Sequence, residues 1–92
     1  MDEIKSLVAY RTEEYGQIVV KLSKIMDSRN VTRNRLATLI GSKYSVVDHY
    51  YKGKQVERAD LDFLARVCYV LDCRVEDLLE YQKPEETGGA PE

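Results

Sequence analysis

Two short helical patterns follow one another between Thr32 and Gly53, separated only by a tight turn at Gly41. The first, about 33–40, and the second, about 44–52, both repeat apolar residues at the spacing of an amphipathic helix. Thr32 fits the N-cap of the first helix, because its hydroxyl can accept from a free amide of the first turn. Gly41 and Gly53 fit the two C-terminal stops. Two helices joined by a Gly-containing turn predict a helix-turn-helix.

The segments on either side of this pair are also read as helices. From Ile18, the residues Leu22, Ile25 and Met26 continue one apolar stripe, and Asn30 fits a left-handed stop after it. The first helix of the pair carries Leu36, Leu39 and Ile40 as its apolar residues. No segment sustains a period of two, so no strand is predicted. The fold class is therefore expected to be all-α, a compact five-helix bundle with a central helix-turn-helix.

The two helices after Gly53 complete this bundle. Asp60 is expected to cap the fourth helix, and a short fifth helix is expected near 76–81 with Leu78 and Leu79. The predicted buried stripe of the fourth helix consists of Leu61, Leu64, Ala65, Cys68 and Leu71.

The chain ends are assigned to separate segments. Residues 1–16 are predicted to be an N-terminal extension, in which 3–15 form either an extra helix or a continuation of the first one. Residues 17–81 are predicted to be the folded domain. The tail 82–92 combines Pro, Gly and Glu with no apolar anchor and is expected to be disordered.

Composition narrows the class of protein. Hydrophobic residues make up 43% of the chain, which is typical of a globular domain. No apolar run reaches the roughly 20 residues that span a bilayer, and no signal segment is expected, because the N-terminal residues lack its charged-then-apolar pattern. Two cysteines are too few for a disulfide scaffold, so a reducing, cytoplasmic location is expected.

The net charge of −2 hides a strong separation along the sequence. Residues 17–59 hold nine basic and three acidic side chains, whereas residues 60–92 hold three basic and nine acidic ones. Such a division indicates an electrostatic partner on the basic side. The acidic part is either a solvated surface with a solubilising tail, or a surface for a protein partner.

The second helix of the pair has one apolar and one polar face. Val47, Tyr50 and Tyr51 are predicted to point inward. The outward set is predicted to be Tyr44, Ser45, Asp48, His49 and Lys52. A polar helix face of this kind fits the major groove of B-DNA, where its first residues can reach base edges.

The order of these elements carries a family resemblance. The run TRNRLATLIG over 32–41, then YSVVDHYYKGK over 44–54 and DLDFLARVCYVLDCRVEDLLEY over 60–81, resembles the Cro/phage-repressor (XRE) helix-turn-helix family. The resemblance covers residues 17–81, and implies a lambda-repressor-like DNA-binding domain that binds double-stranded DNA as a homodimer.

The resemblance also implies a role for each matching position. Thr32, Ala37 and Gly41 would form the structural motif, together with Val47 and Gly53. Base-reading positions match Tyr44, Ser45 and His49, and Tyr44 is equally compatible with plain surface exposure. Positions that hold phosphates match Arg33 and Lys52, and Lys43 and Lys54 flank the same surface.

Two residues depart from the family pattern. Arg35 stands where relatives often have a Glu that completes a capping box, and a cation there costs about 0.3–1 kcal/mol against the helix dipole. A nearby phosphate would turn that cost into attraction, so Arg35 joins the expected phosphate contacts. Asp48 is an acid on the expected reading face, where it could accept from cytosine N4 but would repel phosphates.

Catalysis and metal binding find little support in the sequence. His49 is the only histidine, and no nucleophile or carboxylate accompanies it at a usable spacing. Cys68 and Cys73 lack a second pair of ligands and are expected to be core residues. The chain is therefore predicted to be no enzyme and to need no cofactor, metal or small-molecule ligand.

The resulting prediction is a sequence-specific transcriptional regulator that represses by occupying its operator as a homodimer. The dimer surface is left open between residues 1–16 and the C-terminal helix with Leu79 and Tyr81. The alternative is a protein-interaction module, such as an antitoxin-like or anti-repressor subunit that uses its acidic half.

Overall fold

The structure, a computed structural model, describes residues 15–84. Between Gln17 and Gln82 the chain forms five helices and two strands. In chain order these are β1 (Gln17–Val20), α1 (Leu22–Ser28), α2 (Arg33–Ile40), α3 (Tyr44–Lys52), α4 (Leu61–Leu71), α5 (Val75–Leu78) and β2 (Leu79–Gln82). The predicted helix over 3–15 and the predicted tail lie outside the described residues, apart from Tyr15 and residues 82–84.

The residues divide into two units. Val19–Glu80 forms the larger one and contains all five of these helices, whereas the described stretches 15–18 and 81–84 belong to the smaller one. In the smaller unit the Tyr81 hydroxyl donates to the Tyr15 carbonyl over 2.7 Å.

The core of the larger unit is built from one buried face of each helix. Contacts join α2 to α3 and α4, α1 to α3 and α5, and α4 to α5. Fully buried side chains come from every helix: Leu22, Met26, Leu36, Val47, Val67 and Leu78. The five-helix, predominantly helical architecture predicted from the sequence is confirmed.

The bounds of α2 and α3 are those that the periodicity predicts. Two predicted signals at the ends of the flanking helices are also observed. Asn30 adopts a left-handed conformation with φ 56°, as expected for a residue that follows a helix end. Asp60 caps α4, its Oδ1 accepting from the Asp62 N–H over 2.9 Å. Both predictions are confirmed. They could be made from the sequence because each signal depends only on residues a few positions apart.

The prediction of no strands is wrong. β1 and β2 pair in a two-stranded sheet, and next to it the Lys21 N–H donates to the Leu78 carbonyl over 2.7 Å. Ile18, assigned to the first helix, lies in β1 with 59% of its surface exposed. The fifth helix ends at Leu78 rather than at 81, because the chain then extends into β2.

The buried stripe of α4 also differs from the prediction. Leu61 is 79% exposed and Ala65 is exposed, while Phe63 and Val67 are buried together with the expected Leu64 and Leu71. The helix is thus rotated, so that Phe63 faces α3 and packs on Tyr50. On α2, Leu39 is exposed as well, whereas Leu36, Ala37 and Ile40 are buried in the core.

Candidate nucleic-acid interface

The turn between α2 and α3 is three residues long, 41–43. Gly41 has φ 70°, a left-handed conformation that costs residues with a Cβ about 1–2 kcal/mol. The Ser42 N–H donates to the Ala37 carbonyl over 2.9 Å, so the chain reverses direction within hydrogen-bonded geometry. Gly53 ends α3 in the same way, with φ 68°. The two glycines therefore fix where α2 and α3 end.

Side-chain hydrogen bonds hold both ends of α2. At its start Thr32 Oγ1 accepts from the Arg35 N–H over 3.1 Å. At its end Arg66 of α4 donates from Nη1 to the Ile40 carbonyl over 2.8 Å. Sequence reasoning missed Arg66, because a bond across 26 positions leaves no local pattern. Together the two bonds anchor α2, on which the position of α3 depends.

Helix α3 has a buried and an exposed face. Val47 and Tyr50 are buried, and on the opposite side Ser45, His49 and Lys52 are exposed. Tyr44 is also exposed, and so is Val46, which the sequence-based assignment did not include. The polar set that the sequence predicts on one face of α3 is thus accessible, with one exception.

That exception is Asp48, which is half-buried and bonded on both carboxylate oxygens. Oδ1 accepts from Arg33 Nη1 over 2.5 Å, and Oδ2 lies 3.2 Å from Lys52 Nζ. Hydrogen bonds from Lys52 and then Arg33 hold the pKa of Asp48 below its usual range. The bond to Asp48 in turn raises the pKa of Arg33. We refer to Arg33, Asp48 and Lys52 as the Asp48 triad.

Aromatic rings surround the arginine of the triad. The Arg33 guanidinium carbon lies 4.7 Å from the centre of the Tyr51 ring and 5.8 Å from that of Tyr44. The Tyr51 hydroxyl donates to Asp27 Oδ1 over 3.0 Å, which raises the pKa of Tyr51 and ties this ring to α1. Contacts from α3 thus hold Arg33 at the first position of α2.

The other predicted phosphate contacts are arranged differently. Arg35, Lys43 and Lys54 are exposed, and none forms an ion pair within residues 15–84. They occupy the first turn of α2, the N-cap of α3 and the segment after Gly53. Three cations around α3 are therefore open to solvent, and two are paired with Asp48.

Features of other kinds of site are weak in the described part of the chain. Residues 15–84 contain no group of three or more His, Cys, Asp or Glu placed to hold a metal ion. Cys68 and Cys73 are free, half-buried and packed against the core. Burial raises the pKa of the Cys73 thiol to about 11, which disfavours its reactive thiolate. None of the helices described is long and apolar enough to cross a membrane.

Comparisons with known structures identify the same architecture. A protein from Bacteroides fragilis, described provisionally as DNA-binding, superimposes with a TM-score of 0.62 at 17% identity, over 70% of this chain and all of its own. The transcriptional regulator VanUg gives a TM-score of 0.61 at 21% identity, over 83% of this chain and 95% of its own. At these identities the likeness shows the fold. No curated protein matches the chain in sequence.

The family follows from a match to the sequence itself. The model of the Cro/C1-type HTH DNA-binding domain matches residues 21–84, which includes every helix from α1 to α5. The match covers the capped α2, the glycine turn and the two-faced α3 described above. The chain belongs to the family of Cro/C1-type helix-turn-helix DNA-binding domains.

Proposed function

We propose that the protein is a transcriptional repressor that acts by occupying its operator as a homodimer. The observation that carries this proposal is the exposed face of α3, where Ser45 and His49 lie opposite the buried Val47 and Tyr50. A helix anchored on one face and polar on the other can enter the major groove and present donors and acceptors to bases.

The residues have distinct proposed roles. Tyr44, Ser45 and His49 contact base edges, while the exposed cations Arg35, Lys43 and Lys54 contact phosphates on either side of α3. Phosphate contacts set the register of a protein on the duplex and carry no sequence information, whereas base contacts do. Arg33 and Lys52 belong to the same surface, with their charges engaged by Asp48.

A dimer is proposed because one α3 reads only a few base pairs, and two half-sites about 34 Å apart give a specific operator. Tyr81, one of the residues predicted for the dimer surface, is exposed, and Leu79 is half-buried. Most of the other predicted surface, residues 1–16, lies outside the described part of the chain.

The decisive experiment is selection of bound sequences from a random duplex pool. We expect a pseudo-palindrome with half-sites one helical turn apart, bound by two copies of the chain in sedimentation measurements. Ser45→Ala and His49→Ala should relax the preference at one or two positions. A pool that shows no enrichment, and no binding at low salt, would reject the proposal.

Phosphate contacts are tested by the salt dependence of binding. Lys43→Ala should reduce the slope of log K against log salt concentration by about one unit for every duplex sequence. Lys24→Ala is the matched control, because Lys24 is an exposed cation of α1 beside Asp77 and Glu80, away from α3. Equal slopes for the two variants would remove Lys43 from the interface.

A further inference from the structure

Asp48 is the unexpected residue of the α3 surface. Its position among Ser45, His49 and Lys52 places a carboxylate on the side proposed to approach DNA, where it repels phosphates. Both carboxylate oxygens already accept from cations of the protein, at 2.5 Å from Arg33 and 3.2 Å from Lys52. A base amine could reach this carboxylate only by displacing or sharing one of those bonds.

The Asp48 triad reduces the positive charge that the α3 surface presents before DNA is bound. Arg33 is fixed by Asp48 and by the Tyr51 and Tyr44 rings, and Lys52 pairs with Asp48 one helical turn away. Two cations of this surface are therefore partly neutralised by one acid. In contrast, Arg35, Lys43 and Lys54 have no acidic partner in the described residues.

We propose that Asp48 is a specificity-determining residue that acts as an internal counter-ion, engaging Arg33 and Lys52 so that sequence-independent binding to duplex DNA is weakened. The inference rests on the proposed DNA-binding function and assigns a role within it. Specificity is the difference between two affinities, and it grows when the wrong complex is penalised.

This penalty lowers the affinity of any complex in which the protein contacts only the phosphates of the duplex. To contact a phosphate there, Lys52 must leave Asp48, or Asp48 must be carried toward the phosphates with it. In a complex with the right sequence, the carboxylate can instead accept from an exocyclic amine of cytosine or adenine, which compensates the displaced cation. Random duplex offers that compensation only by chance.

The test compares Asp48→Asn with the wild type on a random-sequence duplex of about 20 base pairs. Each released cation that reaches a phosphate steepens the slope of log K against log salt concentration by about 0.9. Affinity at 0.1 M salt should therefore rise about tenfold for each such cation. Glu76→Gln is the matched control: it removes one negative charge from an exposed ion pair, with Arg74, on α5. An Asp48→Asn gain no larger than the control's would overturn the proposal.

A mutant cycle distinguishes release of a cation from simple loss of a repulsive charge. Lys52→Gln should weaken random-duplex binding less than twofold in the wild type, because that lysine is already paired with Asp48, but about tenfold in the Asp48→Asn background. Equal losses in the two backgrounds would show that Asp48 does not engage Lys52. The single Lys52→Gln variant tests the point even if Asp48→Asn does not fold, since a tenfold loss there contradicts the proposal.

The outcomes separate this inference from the function on which it rests. If the wild type fails to bind random duplex at low salt and selects no sequence, DNA binding itself is rejected. If the wild type binds and Asp48→Asn matches Glu76→Gln, only the counter-ion role is rejected. Tighter binding of Asp48→Asn to random duplex, together with a smaller preference for the selected sequence, supports both.

Discussion

The rings of Tyr50 on α3 and Phe63 on α4 stack with their centroids 4.2 Å apart and their planes 15° from parallel. Both side chains are buried, and the Tyr50 hydroxyl also accepts from the Asp60 N–H over 3.1 Å. Tyr50 thus joins the buried side of α3 to the buried face of α4, and also to Asp60, the N-cap residue of α4. The orientation of α3 relies on this contact.

We expect Phe63→Leu to lower the free energy of unfolding by about 1–2 kcal/mol, because it removes the stacked ring and leaves a smaller side chain. Tyr50→Phe should cost about 1 kcal/mol, since it removes only the acceptor for the Asp60 N–H. Urea unfolding followed by circular dichroism measures both. Tyr69→Phe is the control, because Tyr69 is 87% exposed and its substitution should change little.

Acid should remove the contribution of Asp48 to stability. Hydrogen bonds from Lys52 and Arg33 lower the pKa of Asp48 in the folded state. The unfolded value is about 3.9, so the stabilisation is complete above that pH and disappears as the pH falls through the lower, folded value. The stability difference between the wild type and Asp48→Asn should therefore be constant from pH 5 to 7 and shrink below about pH 4. A difference that stays constant down to pH 2 would contradict this assignment.

Cys73 should react slowly with alkylating reagents. Burial raises the pKa of its thiol to about 11, about two units above that of a free cysteine, so the thiolate fraction at pH 8 falls about 100-fold. Because the folded pKa exceeds the unfolded one, the protein should also lose stability as the pH rises from about 9 toward 11. Iodoacetamide labelling of the wild type, with the label assigned to Cys73 by fragmentation mass spectrometry, measures the rate. Labelling as fast as that of a short cysteine peptide would refute the prediction.

Asp72 offers a site for stabilisation. It ends α4 in a left-handed conformation, with φ 53° and ψ 56°, which glycine adopts without a steric penalty. We expect Asp72→Gly to raise the free energy of unfolding by about 0.5–1 kcal/mol. Asp72→Ala removes the same charge but keeps a Cβ, so it should bring no gain. Thermal unfolding of the two variants side by side distinguishes backbone strain from an effect of charge.

The fold was predictable where the signals are local. The cap at Thr32 and the left-handed residues at Asn30 and Gly41 each depend on a few neighbouring residues. The strands were not predictable in this way. β1 is only four residues long, and its partner lies about sixty residues away in sequence, so neither strand shows sustained alternation.

The rotation of α4 shows a second limit. Every position from 63 to 71 except Arg66 is apolar, so two overlapping stripes both satisfy helical spacing. The choice between them is made by the packing of Phe63 on Tyr50, which involves another helix. Where two apolar stripes fit the sequence equally well, tertiary contacts rather than periodicity decide which stripe is buried.

The candidate site divides along the same line. The spacing of Asp48 and Lys52, one helical turn apart, is visible in the sequence. The bond from Arg33 to Asp48 depends on how α2 and α3 cross, and no pattern of residues predicts that geometry. For this reason the exposed polar face of α3 could be predicted, and the pairing of Arg33 with Asp48 could not.

The sheet has a mechanical consequence. Gly16 packs beside the Gln82 carbonyl, and at the other end Lys21 bonds to Leu78, so β1 and β2 run antiparallel. A tether attached before β1 and another after β2 would therefore pull from the same end of the sheet. Its hydrogen bonds would then open one after another, as in unzipping, before any load reached the helices.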